Sequence, residues 1–425
     1  METPPDPVSC PHYDVLVIGA GAAGLVAAAE GASRGRRSLL LEKNKRPGVK
    51  ILMSGGTRCN LTHATDKWGI IKAYGEQGNF LHSALAALSP SELVQLFEDE
   101  GVATKVEETG KIFPVSNKAA DVLAALVRRL EKSGAEISLN EPMLGCSRVD
   151  DKFLVSTSAR SLTCDSLLIT VGGKSYPGSG TTGDGYAWAA AWGHTIVPPR
   201  PALVPITTDA SWVKSLTGLT IPDVQVCVTQ SNLQSTITNL KSLASARGSF
   251  LFTHFGLSGP VILDVSRAVT AHPHPRELAL VCDFLPGTKT PELEEQLQQE
   301  AAAEGKKQVV GLLSRYIPRR LAEELLALCG LDPELRGAEL PKGGRSRLVA
   351  AIKQSNIPIS GTRGFEKAEV TAGGVSLNEV DSRTMQSKLV PGLYFAGEIL
   401  DLDGPIGGYN FQAAFSTGVL AGQHV

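Results

Sequence analysis

Three glycines near the start of the chain have the spacing of a nucleotide-binding turn. The apolar run 13–18 leads into residues 19–24, Gly-Ala-Gly-Ala-Ala-Gly, which match the pattern G-x-G-x-x-G. In this pattern the first glycine makes the tight turn, the second lets a pyrophosphate approach the backbone, and the third packs the helix on the strand. Free N–H groups at the start of the following helix favour an anion. We therefore predict a dinucleotide site here.

An acid stands where the second strand of such a unit ends. The run 38–41 is apolar after its first serine and is followed by Glu42, which lies 18 residues beyond Gly24. A carboxylate at this place accepts hydrogen bonds from both ribose hydroxyls and repels a 2′-phosphate. The order of strand, turn, helix, strand and acid favours the adenosine of FAD or NAD over NADP. The alternative is a glycine turn that binds no ligand.

A second glycine loop follows in residues 48–63. Paired glycines at 55 and 56 are flanked by Lys50, Arg58 and Asn60. Such a loop supplies backbone N–H groups and fixed donors for a second phosphate and for a flat heteroaromatic ring beyond it. The alternative is an ordinary surface loop. Thr57 strains this loop if the backbone there needs a positive φ.

The end of the chain repeats the pattern of a strand and a glycine turn. Residues 389–395 predict a strand that turns out through Gly397 and Glu398, and 407–414 predict the start of a last helix with small residues. Amides and the dipole at that helix start would stabilise an anionic reduced ring. An exposed loop acid is the alternative reading for Glu398.

These motifs, with the central run 252–260 (Phe-Thr-His-Phe-Gly-Leu-Ser-Gly-Pro), resemble the BaiN/RdsA (YhiN-type) NAD(P)/FAD-dependent oxidoreductases over nearly the whole chain. Thr57 departs from the resemblance, because a third glycine is usual there, and His63 stands where asparagine is frequent. The resemblance implies FAD as the resident cofactor. It places Gly397 and Glu398 near the ribityl-pyrophosphate region and residues 407–410 near the pyrimidine edge of the flavin.

The motifs and the resemblance together predict a set of site residues. The cofactor-binding residues are Gly19, Gly21, Ala22, Ala23, Gly24, Glu42, Lys43, Lys50, Gly55, Gly56, Arg58, Cys59, Asn60, Thr170, Gly172, Gly173, Gly397, Glu398, Gly407, Gly408, Tyr409 and Asn410. The catalytic candidates are Lys50, His254 and Tyr409. Each candidate also has an alternative interpretation. In these alternatives Lys50 binds phosphate and His254 only orders its loop. Cys59, which could lie near the ring, is in its alternative an inert buried thiol.

The fold class that we predict is α/β. A Rossmann-type, glutathione-reductase-like FAD-binding domain spans 13–194 and 361–425, after a disordered leader at 1–12. Short apolar runs in 195–289 indicate an inserted β-rich domain, and the helical pattern of 290–360 indicates a helical cap. We expect the substrate in the cleft that such an insertion leaves.

Composition fits a large soluble enzyme. The chain has 425 residues, 42% of them hydrophobic and 20% charged, and its net charge of −2 gives no global attraction to nucleic acid. No apolar run is long enough to span a membrane, and the first residues lack the features of a secretory signal. Seven scattered cysteines without a C-x-x-C pair predict no metal site and favour a reducing cytoplasm. The oligomeric state stays open.

One Rossmann fingerprint supports one tightly held dinucleotide. The glycine-rich segment 178–185 is not a second one, because Pro177 interrupts the approach to it. NAD(P)H would therefore be at most a transient donor. We predict an FAD-dependent oxidoreductase that moves a hydride between flavin N5 and a small organic substrate.

Three alternatives remain open for the function. The first is a flavin-dependent RNA-modifying enzyme, which needs a basic tract. The second is an amine oxidase that uses oxygen as the acceptor. The third is a binding protein that reuses the fold without flavin chemistry. The basic residues of 306–320 are followed by acids and are better read as a solvated helix face than as a polyanion site.

Overall fold

The computed structural model describes residues 10–230 and 242–425. Most of the predicted leader, 1–9, therefore lies outside the described residues. The strands are β1 (His12–Ile18), β2 (Ser38–Glu42), β3 (Thr62–His63), β4 (Thr104–Val106), β5 (Lys111–Pro114), β6 (Glu136–Leu139), β7 (Met143–Val149), β8 (Lys152–Thr157), β9 (Ser161–Ile169), β10 (Ile196–Ala202), β11 (Ile206–Thr207), β12 (Thr220–Gln230), β13 (Ala244–Thr253), β14 (Gly256–Ser258), β15 (Leu278–Asp283), β16 (Ser355–Pro358), β17 (Gly361–Thr362), β18 (Val370–Val375) and β19 (Leu393–Phe395). The helices are α1 (Ala22–Ser33), α2 (Val49–Thr57), α3 (Lys67–Ala73), α4 (His82–Ala87), α5 (Pro90–Asp99), α6 (Ala119–Ser133), α7 (Asp184–Ala191), α8 (Ser211–Ser215), α9 (Pro260–Ala271), α10 (Thr290–Ala303), α11 (Val309–Leu313), α12 (Arg319–Leu328), α13 (Lys342–Lys353) and α14 (Tyr409–His424).

The chain divides into two compact units. The first comprises 1–201 and 368–425, and the second comprises 202–367. The strands and the helices of the second unit share one hydrophobic core, although the sequence divides this region into a β-rich domain and a cap. The antiparallel sheet of that unit has the order β16-β15-β12-β13-β14-β11-β17. Helix α9 buries Val261, Val265 and Val269 in the shared core.

The main sheet of the first unit brings several strand ends to one edge. Strands β6, β2, β1 and β9 run parallel in that order, and the antiparallel strands β8 and β7 continue the sheet beyond β9. Strand β19 pairs in parallel with the last residues of β9. Ile18 lies beside Leu41 on one side and Ile169 on the other, and Phe395 also lies beside Ile169. The segments that follow these four strands therefore leave the sheet at the same edge.

Two helices pack closely in parallel above this sheet. A Cβ at Gly418 of α14 would lie 2.5 Å from the carbonyl oxygen of Ala23 in α1, and a Cβ at Gly422 would lie 2.6 Å from that of Ala27. Both contacts advance by four residues in the same direction, so the two helices run the same way. Glycine is needed at these points because the backbones approach too closely for a side chain.

The structure confirms several predicted elements and corrects others. The spacing of apolar residues predicts an amphipathic helix over 119–132 that Gly134 ends, and the structure has α6 there, with a φ of 81° at Gly134. The apolar pattern also predicts a short strand near Leu162 and a separate strand over 167–171, but the structure has one strand, β9, in place of the two. The strand predicted at 389–395 is wrong in its first half, because Gly392 turns the chain with a φ of 80° and only β19 is extended.

Candidate functional site

The three glycines of the first turn have different reasons to be glycine. A Cβ at Gly24 would overlap the carbonyl oxygen of Gly19, and a Cβ at Gly19, whose φ is 101°, would lie 2.9 Å from the carbonyl oxygen of Thr170. Both positions are therefore fixed by packing within the protein. A Cβ at Gly21 meets no described protein atom within 4 Å, and its φ of −83° suits any residue. The space beside Gly21 is open at the N-terminus of α1, where backbone N–H groups attract an anion.

Thr170 holds this turn from the neighbouring strand. Its hydroxyl group donates to the carbonyl oxygens of Ile18 and Gly19, both at 2.8 Å, and it is buried. The next residue pair is equally constrained: Gly172 has a φ of 73°, and a Cβ at Gly173 would overlap the hydroxyl of Thr371. These contacts give Thr170, Gly172 and Gly173 structural roles at the predicted site.

Glu42 is buried at the end of β2 and points at the glycine turn. One carboxylate oxygen accepts a hydrogen bond from the backbone N–H of Ala20 and the other from that of Asn44, both at 2.8 Å. A carboxylate has about four acceptor positions, so two bonds leave capacity for ribose hydroxyls. The geometry fits the predicted role of Glu42.

The two residues after Glu42 fasten the segment 179–184 beside the end of β2. The ammonium group of Lys43 bonds Thr182 at 2.7 Å and Asp184 at 2.6 Å. The amide of Asn44 donates to the carbonyl oxygen of Ser179 at 3.1 Å. Lys43, which we predicted to bind the cofactor, is thus engaged by an acid of the protein itself.

Lys50 and Glu398 form a partly buried ion pair that joins distant segments. Their side-chain atoms are 2.5 Å apart, and the side chains are 29% and 19% exposed. Ser175 receives a bond from Lys50 at 2.6 Å and donates to Glu398 at 2.7 Å, while the backbone N–H of Thr371 donates to Glu398 at 2.8 Å. This network satisfies the charge of Lys50, which therefore has no unbalanced charge to offer a phosphate.

The second glycine loop has a run of left-handed residues. Gly55, Gly56 and Thr57 have φ values of 54°, 66° and 68°, and Cys59 has a φ of 60°. Thr57 therefore has a positive φ, the conformation in which we expected this residue to strain the loop. Cys59 is fully buried, and burial raises the pKa of its thiol to about 12, so it is a protonated and unreactive thiol at neutral pH.

Arg58 and Asn60 of the same loop differ in their partners. The guanidinium of Arg58 lies over the ring of Phe113, 3.9 Å from its centroid, and bonds Glu107 at 2.6 Å. Asn60 is buried, and its side-chain oxygen finds no hydrogen-bond partner in the described residues. An unpaired buried carbonyl is costly, and this oxygen is free to accept a hydrogen bond from a bound ligand or a water molecule.

The last helix begins at a strained double-glycine turn. Gly407 and Gly408 have φ values of 134° and 96°, and a Cβ at Gly408 would lie 2.5 Å from the backbone of Thr62. Asn410 holds the turn by exchanging bonds with the backbone of Gly404 at 2.8 and 3.0 Å. This fixes the first free N–H groups of α14 in position.

The N-termini of α1 and α14 are offset along a common direction. Ala23 lies beside Gly418, so α14 begins nine residues before this contact and α1 only one. At 1.5 Å per residue, the N-terminus of α14 extends about 12 Å beyond that of α1. A Cβ at Gly397 would lie 3.0 Å from the Cβ of Ala23 and 3.9 Å from that of Ala414, between these two ends. A pyrophosphate at α1 and a flat ring at α14 match this offset, and the residues therefore fit FAD.

The remaining catalytic candidate lies in the second unit. His254 is exposed between β13 and β14, and its ring meets Phe255 edge-on at 5.0 Å. The guanidinium of Arg363 lies 4.6 Å from the centroid of Phe255. Proton transfer by His254 stays a prediction, as does the role of Tyr409 at the start of α14.

Sequence reasoning missed several residues that build the site. Ser175 and Thr371 bind Glu398, and Tyr186 is buried beside Gly173 with a hydroxyl that is unpaired within the described residues. Burial raises the pKa of Tyr186. No motif marks these residues. Only the fact that Ser175 follows the glycine pair 172–173 could have drawn attention to one of them.

A different part of the first unit has side chains of the metal-binding type. His12, Asp14 and Asp165 have ligand atoms within 4.8 Å of one another, at the end of β1 opposite the glycine turn. Asp14 accepts a hydrogen bond from the backbone N–H of Arg37, and His12 Nδ1 forms a hydrogen bond with the hydroxyl of Thr163.

Within the described residues, no helix is long and apolar enough to cross a membrane.

The parallel sheet, the glycine turn and the acid at the end of β2 define a Rossmann-type FAD-binding fold of the flavin-dependent oxidoreductases. A family model described as the HI0933-like protein Rossmann domain matches residues 13–424. The chain belongs to this family.

Relatives of known name match over almost their whole length. The ribosomal RNA dihydrouridine synthase of Escherichia coli (strain K12) is 34% identical over 96% of both chains. The 3-dehydro-bile acid delta(4,6)-reductase of Clostridium scindens is 30% identical over 96% of this chain and 97% of its own. The solved 3-ketosteroid delta1-dehydrogenase of Sterolibacterium denitrificans covers 97% of this chain and 99% of its own with a TM-score of 0.50 and 14% identity, which is a likeness of fold.

Proposed function

We propose that this protein is an FAD-dependent reductase that adds hydrogen across a carbon–carbon double bond conjugated to a carbonyl group. Dihydrouridine is uridine reduced at such a bond of the uracil ring, and a delta(4,6)-reductase of a 3-oxo bile acid reduces another. The near-full-length relatives of both names support this reaction class. The open space at Gly21, with the start of α14 about 12 Å beyond it, carries the cofactor part of the proposal.

The proposal gives each part of the first unit a task. The N–H groups at the start of α1 bind the pyrophosphate, and Glu42 binds the adenosine ribose. The amides at the start of α14 stabilise negative charge on the reduced ring. When bound, FAD supplies the hydride. Lys50 has a positioning role, because its ion pair with Glu398 connects α2 to the segment after β19.

Uridine in ribosomal RNA is the substrate that we favour. The two relatives named for its reduction are 33% and 34% identical to this chain, more than the bile acid reductase. A small unsaturated ring compound is the second candidate, and the charges favour it. The net charge is −2, and Arg315, Arg319 and Lys307 all pair with glutamates. For either substrate we propose NAD(P)H as a transient donor and the cytoplasm as the location.

The test separates cofactor, donor and substrate. The purified protein is loaded with FAD and reduced without oxygen by NADH, by NADPH or, if neither reacts, by dithionite. Reduced protein is then mixed with a ribosomal RNA transcript or with a 3-oxo-4,6-diene steroid, and the return of oxidised flavin absorbance is followed. Mass spectrometry of the product must show the gain of two hydrogens.

Each result has a clear meaning. Reoxidation by the transcript with formation of dihydrouridine supports the favoured substrate, and reoxidation by the steroid alone supports the second candidate. Reoxidation by neither, with fast reoxidation by air and amine-dependent flavin reduction, contradicts the reductase and supports an amine oxidase. A protein that takes up no FAD contradicts the whole proposal.

A further inference from the structure

His63 lies at the start of the last helix, in a position that the structure holds firmly. Its ring stacks on Tyr409 with centroids 4.9 Å apart and an interplanar angle of 20°. Its Nδ1 bonds the carbonyl oxygen of Gly407 at 3.2 Å. Both partners belong to the turn that opens α14. His63 therefore lies at the start of α14, where the proposed FAD would place its redox ring.

The bond to Gly407 fixes which nitrogen carries the hydrogen. A carbonyl oxygen only accepts, so Nδ1 must donate, and the neutral ring keeps a lone pair on Nε2. A Cβ at Gly110 would lie 2.6 Å from Nε2, so the ring edge faces the hairpin between β4 and β5. No described residue forms a hydrogen bond with Nε2. The ring can thus gain a proton at Nε2 without breaking any bond that it makes.

The strand and hairpin that face His63 carry charged residues of both signs. Lys111 stands opposite His63 in the register of β3 and β5, and the loop 107–110 carries Glu107 and Glu108. Arg58 pairs with Glu107. The N-terminus of α14 disfavours a cation. An additional negative charge at the same place would favour a proton on the ring.

Reduction of the cofactor supplies such a charge. We propose that His63 takes up one proton from water each time the bound FAD is reduced, and so stabilises the reduced cofactor. A hydride from NAD(P)H brings two electrons and one proton, which adds one negative charge to the ring. The proton on His63 balances that charge and returns to water when the hydride passes to the substrate. This inference rests on the proposed FAD site and not on the identity of the substrate.

The test measures the two-electron reduction potential of the FAD-loaded protein between pH 5 and 8, the range in which histidine changes charge. His63→Asn is the main variant, because asparagine is frequent at this position in the proteins that the chain resembles, and His63→Gln is the second. At pH 5 we expect the wild-type equilibrium to favour reduction at least tenfold more than in either variant, about 30 mV for a two-electron couple. The difference must shrink towards pH 8.

The matched control removes another histidine of the same unit. His12 lies at the opposite end of β1, about 20 Å from the glycine turn at 3.3 Å per residue, and His12→Asn should leave the potential unchanged. Equal potentials of wild type and both His63 variants at every pH would overturn the inference while FAD binding stands. A difference that does not depend on pH would also overturn it, because a structural change moves the potential without titrating. Failure of the wild type to take up FAD removes the proposed site itself and is visible as missing absorbance.

Discussion

Replacement of Gly21 by alanine tests whether this glycine is needed for FAD binding and not for the stability of the fold. A Cβ at Gly21 meets no protein atom within 4 Å, and the φ of −83° and ψ of −166° suit alanine. At an N-cap alanine is less favourable than glycine, by roughly 0.5–1 kcal/mol, but alanine loses less chain entropy on folding, which offsets about 0.4–1 kcal/mol. We therefore expect the stability of the FAD-free protein to change by less than about 0.5 kcal/mol.

The same methyl group should weaken FAD binding strongly. It projects into the space where the pyrophosphate approaches the free N–H groups of α1. A hydrogen bond to a charged group contributes about 1.5–3 kcal/mol, so the loss of one bond weakens binding about tenfold to a hundredfold. At an FAD concentration of 100 Kd, the wild type gains about 2.7 kcal/mol of stability, and a tenfold weaker variant gains about 1.3 kcal/mol less.

The assay combines urea unfolding of the FAD-free protein with an FAD titration followed by flavin fluorescence. Gly145→Ala is the matched control, since its Cβ also meets nothing within 4 Å but lies on β7, away from the turn. Gly24→Ala is the opposite control, because its Cβ overlaps Gly19 and should destabilise the protein with or without FAD. Wild-type FAD affinity in Gly21→Ala, or a marked loss of FAD-free stability, would refute the reasoning.

Three further predictions follow from single contacts. Glu42→Gln should weaken FAD binding about tenfold, because an amide replaces the carboxylate that accepts from the ribose, whereas Glu30→Gln near the C-terminal end of α1 should not; equal titrations of the two would contradict this role. Thr57→Gly should raise the free energy of unfolding by about 0.5–1 kcal/mol, because glycine relieves the φ of 68°; Thr57→Ala keeps a Cβ and should bring no such gain in urea unfolding. Burial raises the pKa of Asp184, but hydrogen bonds from Lys43 and Thr182 outweigh it and hold that pKa below 3.8, so the pair stabilises the protein above this pH and loses its effect on acidification. Urea midpoints of wild type and Asp184→Asn should therefore differ at pH 7 and converge as the pH falls through the lowered pKa of Asp184, and a constant gap would disprove the link.

The sequence by itself determined the parts of the site that lie in short motifs. The glycine turn, Glu42 and the start of the last helix each follow from local spacing, because a turn that brings backbone close to a ligand needs glycine at fixed positions. The family and the FAD-binding fold also follow from these motifs, and the comparisons confirm them. The residue roles stay predictions that the geometry fits.

Only the tertiary structure decided which charged residues of the site form ion pairs within the protein. Lys50 and Glu398 are more than three hundred residues apart, and their ion pair exists because β19 joins β9 at the edge where β1 ends. The partners of Lys43 and Arg58 depend in the same way on segments that pack beside them. His63 gained its importance from the turn at Gly407, far along the chain. Local spacing determines backbone turns, whereas the free energy of a charge depends on every group within a few ångströms, and folding alone brings those groups together.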